Sequence, residues 1–417
     1  MSTFIDGVRQ ATAAMRAVFE PTPLQENAYL SERYGARIFL KREDLSPVRS
    51  YKIRGAFNFF RKRLAEKGGD TQFVCASAGN HAQGFAQVCR QLGQRGVIFM
   101  PVTTPQQKIA KTRVFGGDAV RIELVGDIFD ACNAAALDYA KLHDAIMVPP
   151  FDHPDIIEGQ ASVAHEVLEQ LPDGVSIDDV FVAVGGGGLS SGMTRYFCDA
   201  GVGATFHLLE PAGAPSLKRS LENGERVMLP SVDNFVDGAA VGRIGQHTFD
   251  ILKRYSASDV TMVNEDRLCT TILDMLNTEG IVLEPAGAMA VDALKDFQAA
   301  IKGKTILCIA SGGNFDFERL AEVKERALKA DGLKKYFVLR LPQRPGALRD
   351  FLDLLGPEDD IARFEYLKKS ARNFGSILIG IETRDAGNFA GLMARMTDAG
   401  LVWQDISDND LMGGLLV

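Results

Sequence analysis

Lys52 lies in the stretch SYKIRGAFNFF (residues 50–60), where Ile53, Ala56, Phe57, Phe60 and Leu64 recur at helical spacing and predict a helix starting at the lysine. The helix dipole is positive at that end, so a cation is disfavoured there. The position favours the neutral amine, which is a nucleophile and a base. Alone, such a lysine also reads as one snorkelling from an amphipathic helix. A second feature is FVAVGGGGLSSGMTRYF (181–197), where a strand runs into Gly185, Gly186, Gly187 and Gly188 ahead of a helix. Glycines let backbone N–H groups close on an anion, and the helix start adds its positive end. That is chemistry for a phosphate. A tight strand-to-helix connection without a ligand is the plainer reading, but four consecutive glycines carry an entropic cost that such a turn does not require.

The tetraglycine does not complete GxGxxG, because Ser190 and Ser191 stand where a third glycine or an alanine is needed. Glu210 ends the next strand about 20 residues later, as a ribose-binding acid does, so a dinucleotide site remains the alternative. The GKT at 303–305 is not a Walker loop, since Gln298 occupies its leading glycine position. Two further strand-end loops carry small polar residues: SAGNHAQG (77–84) and SGGN (311–314). By themselves, Ser77 and Asn80 read equally well as helix caps, and Ser311 as a turn residue. A phosphate cradle beside an unusually placed lysine points to pyridoxal 5′-phosphate, which needs an amine, an anion site and a partner for its ring nitrogen.

Positioning these loops requires strands that end together. Apolar β-rich runs alternate with helical stretches from about residue 20 to 318: RIFLKRE, QFVCAS, RGVIFMP, AVRIELV, DDVFVAVG, TFHLLE, DVTMVN and TILCIAS, with helices over 80–92, 156–170 and 189–200 among them. This rhythm predicts largely parallel sheet with helices on both faces, and ligands at the carboxyl ends of the strands. A charged helix over 319–335 reads as a linker. From 336 to 417 the order is βαββαβ, the ferredoxin-like plan. The 417 residues are 46% hydrophobic with a net charge of −8 and no basic block, which argues against nucleic acid or an anionic membrane as partner. The N-terminus lacks the apolar core of a signal peptide, and no apolar run approaches the roughly 20 residues of a membrane span. Six scattered cysteines without a CxxC pair read as reduced core residues of a cytoplasmic protein. The histidines lack HxxxH or HxH spacing, so no zinc site is expected.

SYKIRGA, SAGNHAQG, VGGGGLSSG, EPAGA (284–288) and SGGN, with KRED (41–44) and PPFDHP (149–154), resemble the threonine dehydratases in type and order. These are fold-type II pyridoxal-phosphate enzymes, tryptophan synthase β-like, with two open α/β subdomains. The resemblance covers about residues 10 to 318 and implies a catalytic domain over 1–318. It implies that Lys52 holds the cofactor and then takes the substrate Cα proton. Gly185, Gly186, Gly187, Gly188 and Leu189 bind the cofactor phosphate. Asn80 bonds the ring's 3′ oxygen, and Ser311 faces the ring nitrogen and leaves it neutral. Ser77, Ala78, Gly79 and Asn80 hold the substrate carboxylate. Glu284 reads as a wall of the site or as a structural residue.

The implied reaction is dehydration and deamination of L-threonine to 2-oxobutanoate and ammonia, with L-serine giving pyruvate. A serine dehydratase, or another β-elimination or β-replacement enzyme of this fold, is the alternative; a non-catalytic amino-acid sensor is a third reading. Related serine racemases carry a second serine where this chain has Ala78, which disfavours two-base racemisation. In LLEPAGAPS (208–216), Glu210 and Ala214 match a cation loop of the racemase-like relatives, but Ser216 replaces a carboxylate, so no metal is expected. LPQRPGAL (341–348) and the closing DISDND (405–410) resemble the ACT-like regulatory domain of the biosynthetic branch. That likeness implies isoleucine inhibition opposed by valine, and a homotetramer.

Overall fold

The computed structural model describes residues 3–69, 71–367 and 373–409. The chain divides into two compact units, Met1–Glu265 with Met275–Phe315, and Asp266–Asp274 with Asp316–Val417. In the first unit the strands are β1 (Leu24–Glu26), β2 (Arg37–Arg42), β3 (Phe73–Ala76), β4 (Gly96–Met100), β5 (Val120–Leu124), β6 (Ile146–Met147), β7 (Asp179–Ala183), β8 (Thr205–Pro211), β9 (Val260–Val263) and β10 (Thr305–Ala310). One sheet has the order β1-β2-β10-β7-β8-β9 and is parallel from β2 to β9, with β1 antiparallel at its edge. The other has the order β5-β4-β3-β6 and is wholly parallel. Each of the eight apolar runs forms a strand. The two strands not read from the sequence, β1 and β6, span three and two residues, too few to show a period.

Two helices differ instructively from their sequence reading. The stretch 156–170 forms two helices, Pro154–Gln160 and Ser162–Gln170. At the junction the Ser162 hydroxyl donates to the Gly159 carbonyl at 2.7 Å, competing for a helix acceptor. The helix Lys52–Lys67 does start at the lysine. It is not half-exposed at first, because every residue from Ile53 to Phe60 is buried, Arg54 and Asn58 included. On one side Phe60 stacks on Phe73 with ring centroids 3.9 Å apart and meets Phe85 edge-on.

On the other side Arg54 enters a buried ionic cluster. Its guanidinium donates to both Glu43 oxygens at 2.7 and 2.8 Å and to both Glu166 oxygens at 2.8 and 2.7 Å, and reaches Ser162 Oγ at 3.0 Å. Lys41 Nζ donates to Glu166 Oε2 at 2.7 Å and to the Thr22 carbonyl at 2.6 Å. Arg16 also bonds Glu166. Arg42 pairs with Asp44. The KRED segment thus supplies one cluster cation, one cluster anion and an adjoining ion pair.

In the second unit the strands are β11 (Lys334–Pro342), β12 (Asp360–Leu367), β13 (Phe374–Glu382) and β14 (Val402–Asp405), ordered β12-β13-β11-β14 and antiparallel throughout. With helices Ala347–Leu352 and Asn388–Asp398 this is the ferredoxin-like plan. Alternate residues Phe337, Leu339, Leu341, Ile377, Ile379 and Ile381 face Phe351, Phe389, Leu392 and Met396 from those helices. The helix Leu320–Ala330, inside the stretch read as a linker, belongs to this unit, where Glu325 binds Lys334 and the Tyr336 hydroxyl. Lys368 and Lys369, read as the end of a strand, and Asp410 of the closing motif lie outside the described residues. Among the described residues no helix is long and apolar enough to cross a membrane. All six cysteines are free, and Cys198 alone is exposed.

Removing one partner of a buried ion pair costs roughly 3–5 kcal/mol. Glu166→Gln is therefore expected to lower the urea unfolding free energy by an amount of that order. Cationic partners hold the Glu166 carboxyl below its ordinary 4.5, against burial. Its contribution is thus present above pH 4.5 and lost as pH falls. Unfolding measured at pH 7 and at pH 4 should show a smaller wild-type-to-variant gap at the lower pH.

Candidate active site

The loops after β3, β7 and β10 lie at carboxyl ends of parallel strands. Two of them lead into helices, Asn80–Gln91 and Gly188–Asp199, and these, like the helix Lys52–Lys67, begin without a side-chain cap. The first N–H groups of each have no acceptor within their own helix. Asn80, one of the two cap candidates in its loop, uses its side chain elsewhere. Its Nδ2 donates to Glu284 Oε1 at 2.6 Å, and its Oδ1 accepts from Asn314 Nδ2 at 2.7 Å. Ser77 Oγ accepts from the Gly79 N–H at 3.2 Å. Ser77, Ala78, Gly79 and Asn80 are all half-buried, at the mouth of that helix.

The segment 148–152 joins the lysine to the tetraglycine. Lys52 Nζ donates to the Pro150 carbonyl at 3.1 Å. The next residue, Phe151, packs against the glycines, and a Cβ on Gly186 would fall 2.2 Å from its ring. Gly187 caps the following helix with φ of +86°, a conformation that favours glycine. Thr248 Oγ1 donates to the Gly186 carbonyl at 2.8 Å, and Asp152 accepts the first N–H groups of the helix Gln246–Leu252. His81 Nε2 lies 3.0 Å from the Val148 carbonyl; a carbonyl only accepts, so that nitrogen carries hydrogen. Burial, then the charge of Lys52, pushes His81 down to about 3, so the imidazole beside the lysine is neutral.

Ser311 is buried and adjoins the lysine through the backbone. Its carbonyl accepts from the Tyr51 N–H at 3.2 Å, and Gly312 pairs with Ser50. Its hydroxyl donates to the Ala286 carbonyl at 3.3 Å. Glu284 opens the helix Pro285–Asp292. Burial, with Asp237 adding negative charge, pushes its carboxyl up to about 7; the Asn80 bond and the ammonium groups of Lys108 and Lys111 pull the other way. Lys108 is itself paired with Asp237 at 2.6 Å.

Lys52, Ser311, Asn80 and the tetraglycine are therefore linked through shared neighbours. An anion is served by the uncapped helix start at Gly188, an amine stands beside it, and an amide donor and a buried hydroxyl complete a set that fits pyridoxal phosphate. The motif around Glu284 does not name its partner, Asn80. Asn314 and Phe151 sit inside motifs that the sequence marks without giving either a role, and Lys111 shares a helix face with Lys108 three residues earlier. Glu210 accepts from the N–H groups of Leu217 and Lys218, at 2.6 and 2.9 Å, and so caps the helix Ser216–Asn223. Among the described residues no group of three or more His, Cys, Asp or Glu is placed to hold a metal ion.

Comparison with known proteins agrees with this chemistry. Residues 16–312 match the family model of pyridoxal-phosphate-dependent enzymes, and 325–416 match that of the C-terminal regulatory domain of threonine dehydratase. The chain is 44% identical over 415 residues to the biosynthetic L-threonine dehydratase IlvA of Staphylococcus aureus, covering 98% of this chain and 97% of that one. Among solved structures it is similar to the processed form of threonine deaminase isoform 2 from Solanum lycopersicum, with TM-score 0.71 and 36% identity over 78% of this chain and 93% of that one. Maize serine racemase is similar too, with TM-score 0.70 and 26% identity over 78% and 98%.

A carboxyl whose folded pKa is raised stabilises the fold below its unfolded pKa and loses that contribution as pH rises through the folded value. The cofactor-free protein is thus expected to lose stability on this account between pH 4.5 and about 7. Glu284→Gln should flatten that part of its stability–pH profile, read by urea unfolding at pH 5 and pH 8.

Proposed function

The chain belongs to the pyridoxal-phosphate-dependent enzymes, in the branch of the biosynthetic threonine dehydratases, and we propose how its own residues perform that branch's chemistry. The reaction is dehydration and deamination of L-threonine to 2-oxobutanoate and ammonia, within isoleucine biosynthesis. The observation that carries the residue-level reading is the adjacency of Lys52 to the tetraglycine loop through Pro150 and Phe151.

Bound pyridoxal phosphate supplies a carbonyl that condenses with amines and a conjugated ring that draws electron density from the substrate Cα. Lys52 provides the amine that holds it. Once the substrate amine takes its place, Lys52 is a free base beside Cα and removes the proton there. Neutral His81 adds no second charge next to that amine. Backbone amides of Gly185 to Leu189 hold the phosphate without a cationic side chain. The remaining Nδ2 hydrogen of Asn80 would serve the 3′ oxygen. The Ser311 hydroxyl would turn from the Ala286 carbonyl to donate to the ring nitrogen; as a weak acid it would leave that nitrogen unprotonated, which would limit electron withdrawal and favour prompt loss of the β-hydroxyl. Ser77, Ala78, Gly79 and Asn80 hold the substrate carboxylate on the uncapped helix start. L-Serine fits the same arrangement and is proposed as a second substrate giving pyruvate. We place the enzyme in the cytoplasm as a homotetramer.

The purified protein is expected to be yellow, and borohydride should fix the cofactor to Lys52. Lys52→Ala should lose turnover while keeping the wild-type circular dichroism. A preparation that stays colourless with added cofactor would refute the reading. The second unit is proposed to bind isoleucine, opposed by valine. Coupling of this kind is typically about 1–3 kcal/mol, so isoleucine should shift the L-threonine saturation curve by roughly 5- to 150-fold. A curve unchanged across a wide isoleucine range would reject that role.

A further inference from the structure

Asn80 sits in a chain of four side chains that begins at Glu284 and ends at Lys111. Glu284 Oε1 accepts from Asn80 Nδ2 at 2.6 Å, and Asn80 Oδ1 accepts from Asn314 Nδ2 at 2.7 Å. The Asn314 Nδ2 group also donates to the Val48 carbonyl at 2.8 Å, and Asn314 Oδ1 accepts from Lys111 Nζ. A side-chain amide can be turned over, exchanging its donor and acceptor ends, so its orientation must be set by neighbours able to play one part only. An ammonium only donates and a backbone carbonyl only accepts. Lys111 and Val48 together leave Asn314 a single orientation, with both Nδ2 hydrogens committed. The hydrogen directed at Asn80 then requires an oxygen in return. Asn80 must turn Oδ1 toward Asn314, which sends Nδ2 toward Glu284 with one hydrogen to spare.

Glu284 does not set this orientation alone. Burial and the nearby Asp237 bring its carboxyl to about 7, where it is present in both forms, and the protonated form can donate as well as accept. Lys111 faces Arg49 as well as Glu284, and burial is the larger influence on it. Its bond to Asn314 gives the chain a donor-only end. Lys111 is half-buried on the helix Gln106–Gly116, with its ammonium directed at Asn314.

We propose that Asn314, itself oriented by Lys111 and the Val48 carbonyl, is a positioning residue that fixes Asn80 so that one Nδ2 hydrogen is left for the 3′ oxygen of the cofactor. This rests on the reading that pyridoxal phosphate binds with that oxygen at Asn80. Replacing the Asn314 donor by an acceptor turns Asn80 over and confronts that oxygen with Oδ1. The substrate carboxylate takes the backbone N–H groups of this helix start and not the Asn80 amide, so kcat and the spectrum respond while KM does not.

The test compares the holoenzyme with Asn314→Asp and Asn314→Gln by the visible spectrum of the bound cofactor and by kcat and KM for L-threonine. Asn314→Asp sets a carboxylate oxygen against Asn80 Oδ1; it is expected to change the ratio of the cofactor's absorption bands and to lower kcat about tenfold, the rate equivalent of one hydrogen bond, with KM nearly unchanged. Asn314→Gln, which keeps an amide donor, should restore both in part. If Asn314→Asp does not fold, Asn314→Ala serves instead: it removes the donor to Asn80 and should shift the same bands. A yellow Asn314→Asp protein with wild-type spectrum and kcat overturns the proposal and leaves the cofactor reading standing. A wild-type protein that takes up no cofactor overturns both.

Discussion

The buried guanidinium of Arg54, shared between Glu43 and Glu166, is the interaction on which the placement of Lys52 depends. Arg54 is two residues beyond Lys52, in the first turn of the same helix. Glu43 follows β2, and Glu166 lies on the helix Ser162–Gln170, so one side chain fixes that turn against two separate elements. Desolvating these ions is costly, and a hydrophobic replacement of the whole cluster could be as stable. What an apolar core would not supply is direction. Fork-shaped hydrogen bonds to two carboxylates hold the helix at one rotation and one height, and therefore fix where the Lys52 amine emerges. The aromatic contacts of Phe60 with Phe73 and Phe85 anchor the same helix on its other flank.

From that fixed point the site is assembled by backbone as much as by side chains. The Pro150 carbonyl receives the lysine, and the Phe151 ring leaves no room for a side chain on Gly186. The Ser311 carbonyl ties the end of β10 to Tyr51. Rigid strand ends thus bring together an amine, a glycine-rich helix start, an amide and a buried hydroxyl, a set that suits pyridoxal chemistry. The electrostatics agree: the imidazole nearest the lysine is neutral, and the carboxyl behind Asn80 is held close to its titration point.

The second unit is built on different physics. Its sheet is antiparallel, with helices on one face and a core of alternating residues from β11 and β13. Such a small two-layer module carries none of the residues assigned to the chemistry. Residues 325–416, most of this unit, match the model of the C-terminal regulatory domain of threonine dehydratase, so one chain carries both family segments.

Much of this was legible in the sequence because it is written in local patterns. Continuous apolar runs marked the strands, the βαββαβ order marked the second unit, and the spacing of Ile53, Ala56, Phe57 and Phe60 marked the lysine's helix. Glycine runs are readable for the same reason, since their backbone freedom needs no partner to be recognised. The two short strands β1 and β6 were not legible, because three and two residues show no period; nor was the break before Ser162, whose hydroxyl bonds Gly159 and also accepts from the distant Arg54. The same holds for the partners of charged and amide groups. Lys111 meets Asn314 across 203 positions and Asn80 meets Glu284 across 204. No local pattern encodes which ammonium faces which amide. The sequence by itself determined which reactive groups exist and on which elements they ride. Only the tertiary structure decided their partners, because hydrogen-bond identity and the protonation of buried groups are set by neighbours that long-range packing brings together.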